Sequence, residues 1–299
     1  MNGIEIENIS KSYGATLALD ALTFTVQPGE RFGLLGPDGA GKSTLFKILT
    51  TLLIPDTGRA SVAGWDVNKD FATIRRHIGY MPGRFSLYPD LSVAENLNFF
   101  ATIFGTKVKA NYELIRPIYE QIEPFSKRRA GALSGGMKQK LALCCALIHQ
   151  PKVLFLDEPT TGVDAVSRDE FWVMLGELKK AGITILVSTP YMDEAARCER
   201  VALLQTGKIL ALDTPANVVN AFNQPLWAVR ADNYYQLLLD LRQASFTERA
   251  EVFGEFIHLT THTGTDRESI VAYAQSGGHG NIVVEPAKAS IEDVFLALM

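Results

Sequence analysis

A nine-residue stretch near the N-terminus has the residue types and spacing of a phosphate-binding loop. It fits the pattern G-x-x-x-x-G-K-[ST] and consists of Gly36-Pro37-Asp38-Gly39-Ala40-Gly41-Lys42-Ser43-Thr44. Glycines let backbone N–H groups turn toward a phosphate, and the N-terminus of a following helix adds positive potential. In this pattern Lys42 reaches the β- and γ-phosphates, and the hydroxyl of Ser43 faces a magnesium ion. The sequence therefore predicts a site for a nucleotide with Mg2+.

Two carboxylates follow a predicted buried strand in the middle of the chain. The continuous apolar run at 153–156 is typical of a strand in a parallel sheet that is covered on both faces. Asp157 and Glu158 come directly after it, at the end of the strand where open α/β sheets bind ligands. Carboxylates in such a place are more often solvated turn residues, but the phosphate-binding loop upstream favours a role in chemistry. Asp157 is suited to hold magnesium, and Glu158 to accept a proton from an attacking water molecule.

The elements around these motifs alternate between helices and buried strands. The phosphate-binding loop lies between a predicted strand at 31–35 and a helix at 43–49, and a helix at 165–181 leads to a strand at 184–188. This alternation predicts a three-layer α/β domain. The other predicted elements are strands at 3–13, 18–26, 60–63 and 78–81, a hairpin around 205–207, and helices at 70–77, 91–125, 135–149 and 215–222, with Ser92 as an N-cap and Gly105 as a break.

The last part of the chain has a different pattern. From about residue 226 the predicted order is strand, helix, two strands joined at Gly254, helix, strand and a final helix. This is the βαββαβ order of ferredoxin-like folds, followed by one helix. We therefore predict two domains, 1–222 and 223–299. The second is a small α+β domain without a chemical motif, and its default interpretation is a regulatory or dimer-stabilising appendage.

Composition limits the classes of function. The chain has 299 residues, of which 47% are hydrophobic and 21% charged, so it can form a substantial core. A net charge of −4 gives no general affinity for nucleic acid, and we expect no nucleic-acid partner. Its three cysteines have no C-x-x-C spacing, which predicts buried thiols in a reducing compartment. The residues at 1–5 do not resemble a signal peptide, and no apolar run approaches the ~20 residues of a membrane span.

A third motif lies between the other two. Ser134 is suited to cap the N-terminus of a helix. Because Gly135 and Gly136 have no side chains, the first backbone N–H groups of this helix stay accessible and could bind an anion. Alone, this is most simply a capped helix. Between the phosphate-binding loop and the carboxylate strand, however, the sequence Leu133-Ser134-Gly135-Gly136-Met137-Lys138-Gln139-Lys140 resembles the signature motif of ATP-binding cassette (ABC) ATPases. The resemblance extends over about residues 3–222.

This resemblance implies a P-loop NTPase core with an antiparallel β subdomain and a helical subdomain, and it implies further roles. Tyr13 matches the aromatic residue that stacks on adenine; without the family context, a strand-packing tyrosine would explain it equally well. Asp164 matches the aspartate that crosses the dimer interface. In the family two cassettes meet head to tail, so that the P-loop of one and the signature segment of the other, here 134–136, enclose one ATP. Binding of Mg-ATP then joins the cassettes, and hydrolysis releases them.

The sequence departs from the family pattern at two positions. Gly83 stands where the family normally has a glutamine that senses magnesium and water, and Pro190 where it has a histidine that bonds the γ-phosphate. Neither residue offers a side-chain donor. Lys42, Ser43 and the carboxylate pair remain, so we expect Mg-ATP to bind and hydrolysis at this chain's own P-loop to be slow. A heteromeric or fused second cassette is then favoured over a catalytic homodimer.

The closest resemblance is to ATPases of the drug and polysaccharide exporter type. The sequences Met137-Lys138-Gln139-Lys140 and Ile291-Glu292-Asp293-Val294-Phe295 carry it. It implies a multi-span membrane permease as partner and a position on the inner face of the cell membrane. Two alternatives stay open: a soluble ABC ATPase of the ribosome-associated type, and a regulatory nucleotide-binding half without meaningful turnover.

Two further features of the sequence, a pair of histidines and an aromatic-rich helix, are weaker indications of function. His258 and His262 are four residues apart, but on a predicted strand they would not share a helix face, which disfavours a metal site. The aromatic-rich helix at 92–104 is favoured as domain core, with a groove for a helix of a membrane subunit as the alternative.

Overall fold

The computed structural model of the protein describes residues 3–84 and 86–299. Residues 1 and 2 of the N-terminal segment discussed above, and Phe85 after the Gly83 position, lie outside the described residues. The chain divides into two compact units, Met1–Pro215 and Ala216–Met299. The elements of the first unit are β1 (Ile4–Tyr13), β2 (Thr16–Val26), β3 (Arg31–Leu35), α1 (Lys42–Leu49), β4 (Thr57–Val62), β5 (Trp65–Asp66), α2 (Phe71–His77), β6 (Ile78–Met81), α3 (Val93–Ile103), α4 (Tyr112–Tyr119), α5 (Gly135–Leu147), β7 (Val153–Asp157), α6 (Ala165–Lys180), β8 (Thr184–Thr189), β9 (Arg200–Gln205) and β10 (Lys208–Asp213). The helix α7 (Pro215–Asn220) begins at the last residue of the first unit and continues into the second.

A six-stranded sheet positions the site. Its order is β10-β9-β3-β8-β7-β6, and all neighbours run parallel except β10, which is antiparallel to β9. β7 and β8 are buried along their whole length, as expected for strands covered on both faces. The predicted α/β core is confirmed. Because β8 lies between β3 and β7, the loops that follow these three strands meet at one edge of the sheet.

A second sheet of the first unit is antiparallel, in the order β2-β1-β4-β5. Its hairpin of β1 and β2 pairs Ile4 with Val26 and Tyr13 with Thr16. Inward residues such as Ile6 and Phe24 are almost fully buried and belong to the same apolar cluster as Phe46 of α1. The predicted antiparallel subdomain is therefore confirmed. The short strand β5 was not predicted, because two residues carry no periodicity.

The helical part of the first unit contains more breaks than the sequence indicated. α3 begins with a capping box, in which Ser92 accepts the N–H of Glu95 and the Glu95 carboxylate accepts the N–H of Ser92. It ends before Gly105, whose φ of 67° lies in the left-handed region that glycine tolerates. The helical pattern predicted for 91–125 has its predicted break at Gly105, and it is interrupted further by short 3-10 turns at 108–111 and 123–125. α5 begins after Ser134, as predicted.

The second unit contains one four-stranded antiparallel sheet and three helices of its own. The sheet order is β12-β13-β11-β14. A cluster of buried side chains, among them Val229, Leu237, Ile257 and Ile270, forms its core. The elements are β11 (Leu226–Arg230), α8 (Tyr234–Gln243), β12 (Thr247–Phe253), β13 (Phe256–Thr261), α9 (Arg267–Ser276), β14 (Val283–Pro286) and α10 (Ile291–Leu298).

His258 lies on β13, as expected, and its partner is a carboxylate. Its Nδ1 is 2.7 Å from Oδ1 of Asp293 in α10, and its ring stacks on Phe253. Within 3–84 and 86–299 no group of three or more His, Cys, Asp or Glu residues could hold a metal ion. All three cysteines are free and buried, which confirms the predicted burial of the thiols. In the same ranges, no helix combines the length and the apolar character needed to cross a membrane.

Candidate nucleotide-binding site

The phosphate-binding loop connects β3 to α1 and depends on its glycines. Gly41, directly before α1, has a φ of 109°, and a Cβ there would lie 2.5 Å from the carbonyl oxygen of Ala18. A Cβ at Gly36 would lie 2.2 Å from the carbonyl oxygen of Leu204. Side chains at these two positions would therefore displace neighbouring backbone. The glycines hold the loop at the N-terminus of an eight-residue helix, where amide N–H groups are unpaired within the helix.

Lys42 is the first residue of α1, and its side chain is held inside the loop. Its Nζ donates to the carbonyl oxygens of Gly36, at 2.7 Å, and Pro37, at 3.0 Å. The same atom lies 3.1 Å from Oε1 of Glu158, and the lysine side chain is only 3% exposed. In this position, the ammonium group of Lys42 can bind an anion that enters the loop. Phosphate oxygens would then compete with Glu158 for it.

The carboxylate pair stands at the end of β7, held by the neighbouring strand. Asp157 is buried, and its Oδ1 accepts a hydrogen bond of 2.6 Å from the hydroxyl of Ser188. The N–H of Glu158 is 3.0 Å from both the carbonyl oxygen and the hydroxyl oxygen of Ser188. Glu158 has a φ of 52°, in the left-handed region. Its backbone turns here, and its carboxylate faces Lys42.

One cleft of about 640 Å³ brings these groups together. Its volume is in the range of small-molecule sites. Tyr13, which is 48% exposed, lies at this cleft together with the phosphate-binding loop and the carboxylate pair. The predicted site residues that line it are Tyr13, Asp38, Gly39, Gly41, Lys42, Ser43, Thr44, Asp157 and Glu158.

Other predicted residues lie elsewhere. Ala40 is buried within the loop. Ser134 caps α5 by accepting the N–H of Met137 at 3.4 Å. Gly135 lines a smaller cavity beside the turn at Gly162, which shares Gly83 with the nucleotide cleft. Asp164 caps α6, where the N–H of Ser167 holds the pKa of its carboxyl below the ordinary value. Gly136 packs against the same helix, because a Cβ on it would lie 2.7 Å from Oγ of Ser167. The signature segment and Asp164 thus form a second group on the N-termini of α5 and α6.

The structure adds residues that the sequence argument missed. Tyr80 of β6 lines the cleft, and its burial, together with the charge of Asp157, raises the pKa of its hydroxyl to about 12. Ser188 contacts both carboxylate residues, as described above. A hydroxyl directly after the apolar residues 185–187 of the buried strand β8 was a usable signal, because a buried hydroxyl requires a hydrogen-bond partner. No comparable signal marks Tyr80.

The two departures from the family pattern have different surroundings. Gly83 lines the cleft, and a Cβ there would lie 3.1 Å from the carbonyl oxygen of Asp157. Pro190 follows β8 in a loop that is held by hydrogen bonds to a buried carboxylate, that of Glu194. Thr189 donates its hydroxyl to Glu194 at 2.6 Å, and Nε1 of Trp172 donates to the same carboxylate at 3.0 Å. The loop that carries Pro190 is thereby anchored to α6.

The cleft also fits a magnesium ion bound with a nucleotide. Ser43 and Asp157, whose side chains carry oxygen atoms, line the same cleft, and hard oxygen ligands are those that Mg2+ prefers. Mg2+ is commonly held by one or two protein oxygens and the phosphates of the nucleotide. Here Ser43 and Asp157 would hold it, and its charge would offset that of the phosphates.

Comparison with known proteins identifies the family. The ABC transporter model matches residues 19–161. The Nod factor export ATP-binding protein I of Burkholderia pseudomallei (strain 1710b) is 38% identical in an alignment 299 residues long, which covers 99% of this chain and 96% of that protein. The chain belongs to the ABC transporter family. This confirms the resemblance that the three motifs indicated and, with it, the ABC ATPase fold.

Other relatives cover only part of one chain or the other. The probable multidrug ABC transporter ATP-binding protein YbhF of Escherichia coli (strain K12) is 44% identical over 214 residues. These are 71% of this chain and 37% of YbhF, so the chain spans little more than a third of that relative. The solved structure of cbiO1 from Clostridium perfringens, part of the ABC transporter complex cbiONQ, is 28% identical with a TM-score of 0.66, over 73% of this chain and 91% of that one. The solved structure of a dimeric ATP-binding cassette in a post-hydrolysis state with ADP and Pi is 27% identical with a TM-score of 0.64. The match covers 71% of this chain and 98% of that chain.

Proposed function

We propose that this chain is the ATP-binding subunit, or half, of an exporter. It binds Mg-ATP and, with a second cassette, hydrolyses it to power export through a membrane permease. The observation that carries this proposal is the approach of Lys42 to Glu158, at 3.1 Å, inside the cleft formed by the phosphate-binding loop and the carboxylate strand. The similarity to a Nod factor export ATP-binding protein over 99% of the chain supports the exporter assignment.

Each group in the cleft has a role in this proposal. Lys42 binds the β- and γ-phosphates, and the backbone amides after Gly41 bind the phosphates at the start of α1. Ser43 and Asp157 hold the magnesium ion. Glu158 accepts a proton from the attacking water, once phosphate has displaced its carboxylate from Lys42. Tyr13, half-exposed at the cleft, stacks on adenine.

A second cassette supplies what this cleft lacks. Ser134, Gly135, Gly136 and Asp164 do not line the nucleotide cleft, and they gather at the N-termini of α5 and α6. In the proposed head-to-tail pair they face the ATP of the partner cassette. The solved structure of a similar cassette with ADP and Pi is a dimer, which supports the pairing of two cassettes. The permease holds both cassettes at the inner face of the cell membrane.

The two departures are proposed to weaken hydrolysis at this chain's own P-loop. Gly83 and Pro190 offer no side-chain donor, and losing one positioned group commonly costs ~10² in rate. Two lost groups need not add. The chain then contributes a weak site of its own and an intact signature segment to the partner, whose P-loop performs most of the hydrolysis.

ATP binding and turnover by the purified chain test this proposal, with Glu158→Gln as the control. We expect Mg-ATP to bind and the turnover to be slow. The paired replacement Gly83→Gln and Pro190→His is expected to raise turnover severalfold, and an unchanged rate would refute the weakened site. An isolated chain that fails to bind ATP would refute the nucleotide site altogether.

The partner is tested separately. We expect a multi-span membrane protein to co-purify with the chain and to raise its ATPase activity. Binding of Mg-ATP without turnover, both alone and with that partner, would favour the regulatory half instead. Co-purification with ribosomes and no membrane protein would favour the ribosome-associated type.

A further inference from the structure

Ser188 stands between the two halves of the site. In the sheet it pairs with Leu34 of β3 on one side and with Asp157 of β7 on the other. The strand β3 leads into the phosphate-binding loop, and β7 ends in the carboxylate pair. Ser188 is fully buried, with no exposed surface. Its hydroxyl is therefore unavailable to solvent and can act only on its neighbours.

The hydroxyl has one proton, and its contacts show where that proton goes. The Ser188 hydroxyl donates it to Oδ1 of Asp157, at 2.6 Å. The lone pairs of the hydroxyl oxygen remain to accept the N–H of Glu158 at 3.0 Å. A single hydroxyl thus bonds the side chain of one carboxylate residue and the backbone of the next.

Each bond constrains one part of the chemistry. The bond to Oδ1 fixes the rotation of the Asp157 carboxylate, which is buried at the edge of the cleft. The bond to the N–H of Glu158 helps to hold a residue with a φ of 52°, a conformation that residues other than glycine seldom adopt. That backbone turn directs the Glu158 carboxylate toward Lys42.

We infer that Ser188 is a positioning residue that orients the Asp157 carboxylate for magnesium and keeps the backbone of Glu158 in its left-handed turn. This inference rests on the proposed function, because it concerns how the same site receives Mg-ATP. Removing a partner that orients a metal-binding side chain commonly costs 10- to 100-fold in metal affinity or activity. Ser188→Ala removes both bonds at once, while the Glu158 N–H keeps the carbonyl oxygen of residue 188 as acceptor.

The experiment compares three variants. Ser188→Ala removes the hydroxyl, and Ser188→Thr retains it on a residue that strands accommodate well. The matched control is Thr184→Val, because Thr184 is buried in the same strand and its hydroxyl accepts the N–H of Gly29 at 2.9 Å. This control removes a buried hydroxyl from β8 at the end away from the carboxylates. Thermal unfolding of each variant reports the general cost to stability.

The readout is the dissociation constant for ATP, measured by calorimetry in excess Mg2+ and again in EDTA. For the unmodified chain we expect tighter binding in Mg2+. For Ser188→Ala we expect this gain to fall by about 10-fold or more, with the constant in EDTA nearly unchanged. Ser188→Thr and Thr184→Val should keep the gain within about 2-fold of the unmodified chain, although Thr184→Val loses stability.

Several results would overturn the inference. A full Mg2+ gain in Ser188→Ala would refute it and leave the proposed function intact. An equal loss of the gain in Thr184→Val would show that any lesion in β8 has this effect, which also refutes it. Equal dissociation constants for ATP in Mg2+ and in EDTA for the unmodified chain would also refute the inference, because there would be no Mg2+-dependent gain for Ser188 to support. Failure of the unmodified chain to bind ATP at all would refute the proposed function, and the inference with it.

Discussion

Glu194 is a buried carboxylate whose removal should destabilise the first unit strongly. It is 3% exposed, and it accepts hydrogen bonds from Oγ1 of Thr189 at 2.6 Å and Nε1 of Trp172 at 3.0 Å. Nε of Arg168 lies 3.5 Å from the same carboxylate. Glu194→Ala would leave these donors without their acceptor. Hydrogen bonds to charged groups contribute about 1.5–3 kcal/mol each, and removing one partner of a buried pair costs about 3–5 kcal/mol.

We therefore expect Glu194→Ala to lower the free energy of unfolding by about 3–5 kcal/mol. For a unit of this size, 1 kcal/mol corresponds to roughly 2–4 °C, so the melting temperature should fall by roughly 6–20 °C. Trp172→Phe removes one donor and leaves the acceptor, so its cost should be about 1–3 kcal/mol. Urea and thermal unfolding followed by far-UV circular dichroism measure both variants. Circular dichroism is preferred to fluorescence because Trp172→Phe removes one of the three tryptophans.

Two results would contradict the role of Glu194 as the common acceptor. A loss below about 1 kcal/mol for Glu194→Ala would mean that water or rearranged side chains satisfy the donors. An effect of Trp172→Phe as large as that of Glu194→Ala would mean that packing of the indole, and not the shared carboxylate, dominates.

Three further outcomes follow from other sites. Burial raises the pKa of the three cysteine thiols, that of Cys198 to about 12. None of them should therefore react with a thiol reagent at pH 8 until the chain is unfolded in urea, and rapid labelling of the folded chain would contradict this. Gly41→Ala should abolish ATP binding, because the new Cβ would clash with the carbonyl oxygen of Ala18. At Gly39 the φ is 80° but the space around a Cβ is open, so Gly39→Ala should lower the free energy of unfolding by only about 1 kcal/mol in unfolding titrations. Burial lowers the pKa of His149, so the unfolded chain binds this proton more readily. Stability from His149 is present above its ordinary pKa of about 6.5 and is lost as the pH falls below it, so unfolding titrations should show a smaller loss between pH 7 and 5 for His149→Gln.

The chemistry of the site was predictable because it depends on local motifs. The phosphate-binding loop and the carboxylate strand each combine a short apolar strand with particular residue types, and the structure brings both to one cleft. The alternating order of elements also determined the layers, because continuous apolar runs belong to strands that are covered on both faces. Capping residues such as Ser92 marked helix starts correctly, since the capping interaction lies within four residues.

Contacts across the sheet were not predictable from one sequence. Nothing near Glu194 shows that its carboxylate meets Trp172, which lies 22 positions away on α6. The short 3-10 segment at 192–197 has no period long enough to recognise. The approach of Lys42 to Glu158 likewise depends on the placement of β8 between β3 and β7, which sequence patterns do not encode.

The sheet order also determines when during synthesis this site can form. β3 has β8 and β9 as its neighbours, and Gly29, just before β3, bonds Thr184, which lies 155 positions further along the chain. Ribosomes add about 5–20 residues per second, so the phosphate-binding loop emerges roughly 8–30 s before the strands that flank it. Until then the glycine-rich loop has no sheet to hold its shape. A nascent chain thus acquires its ATP site only after β9 has left the ribosome, and nucleotide can stabilise only chains that have grown past that point.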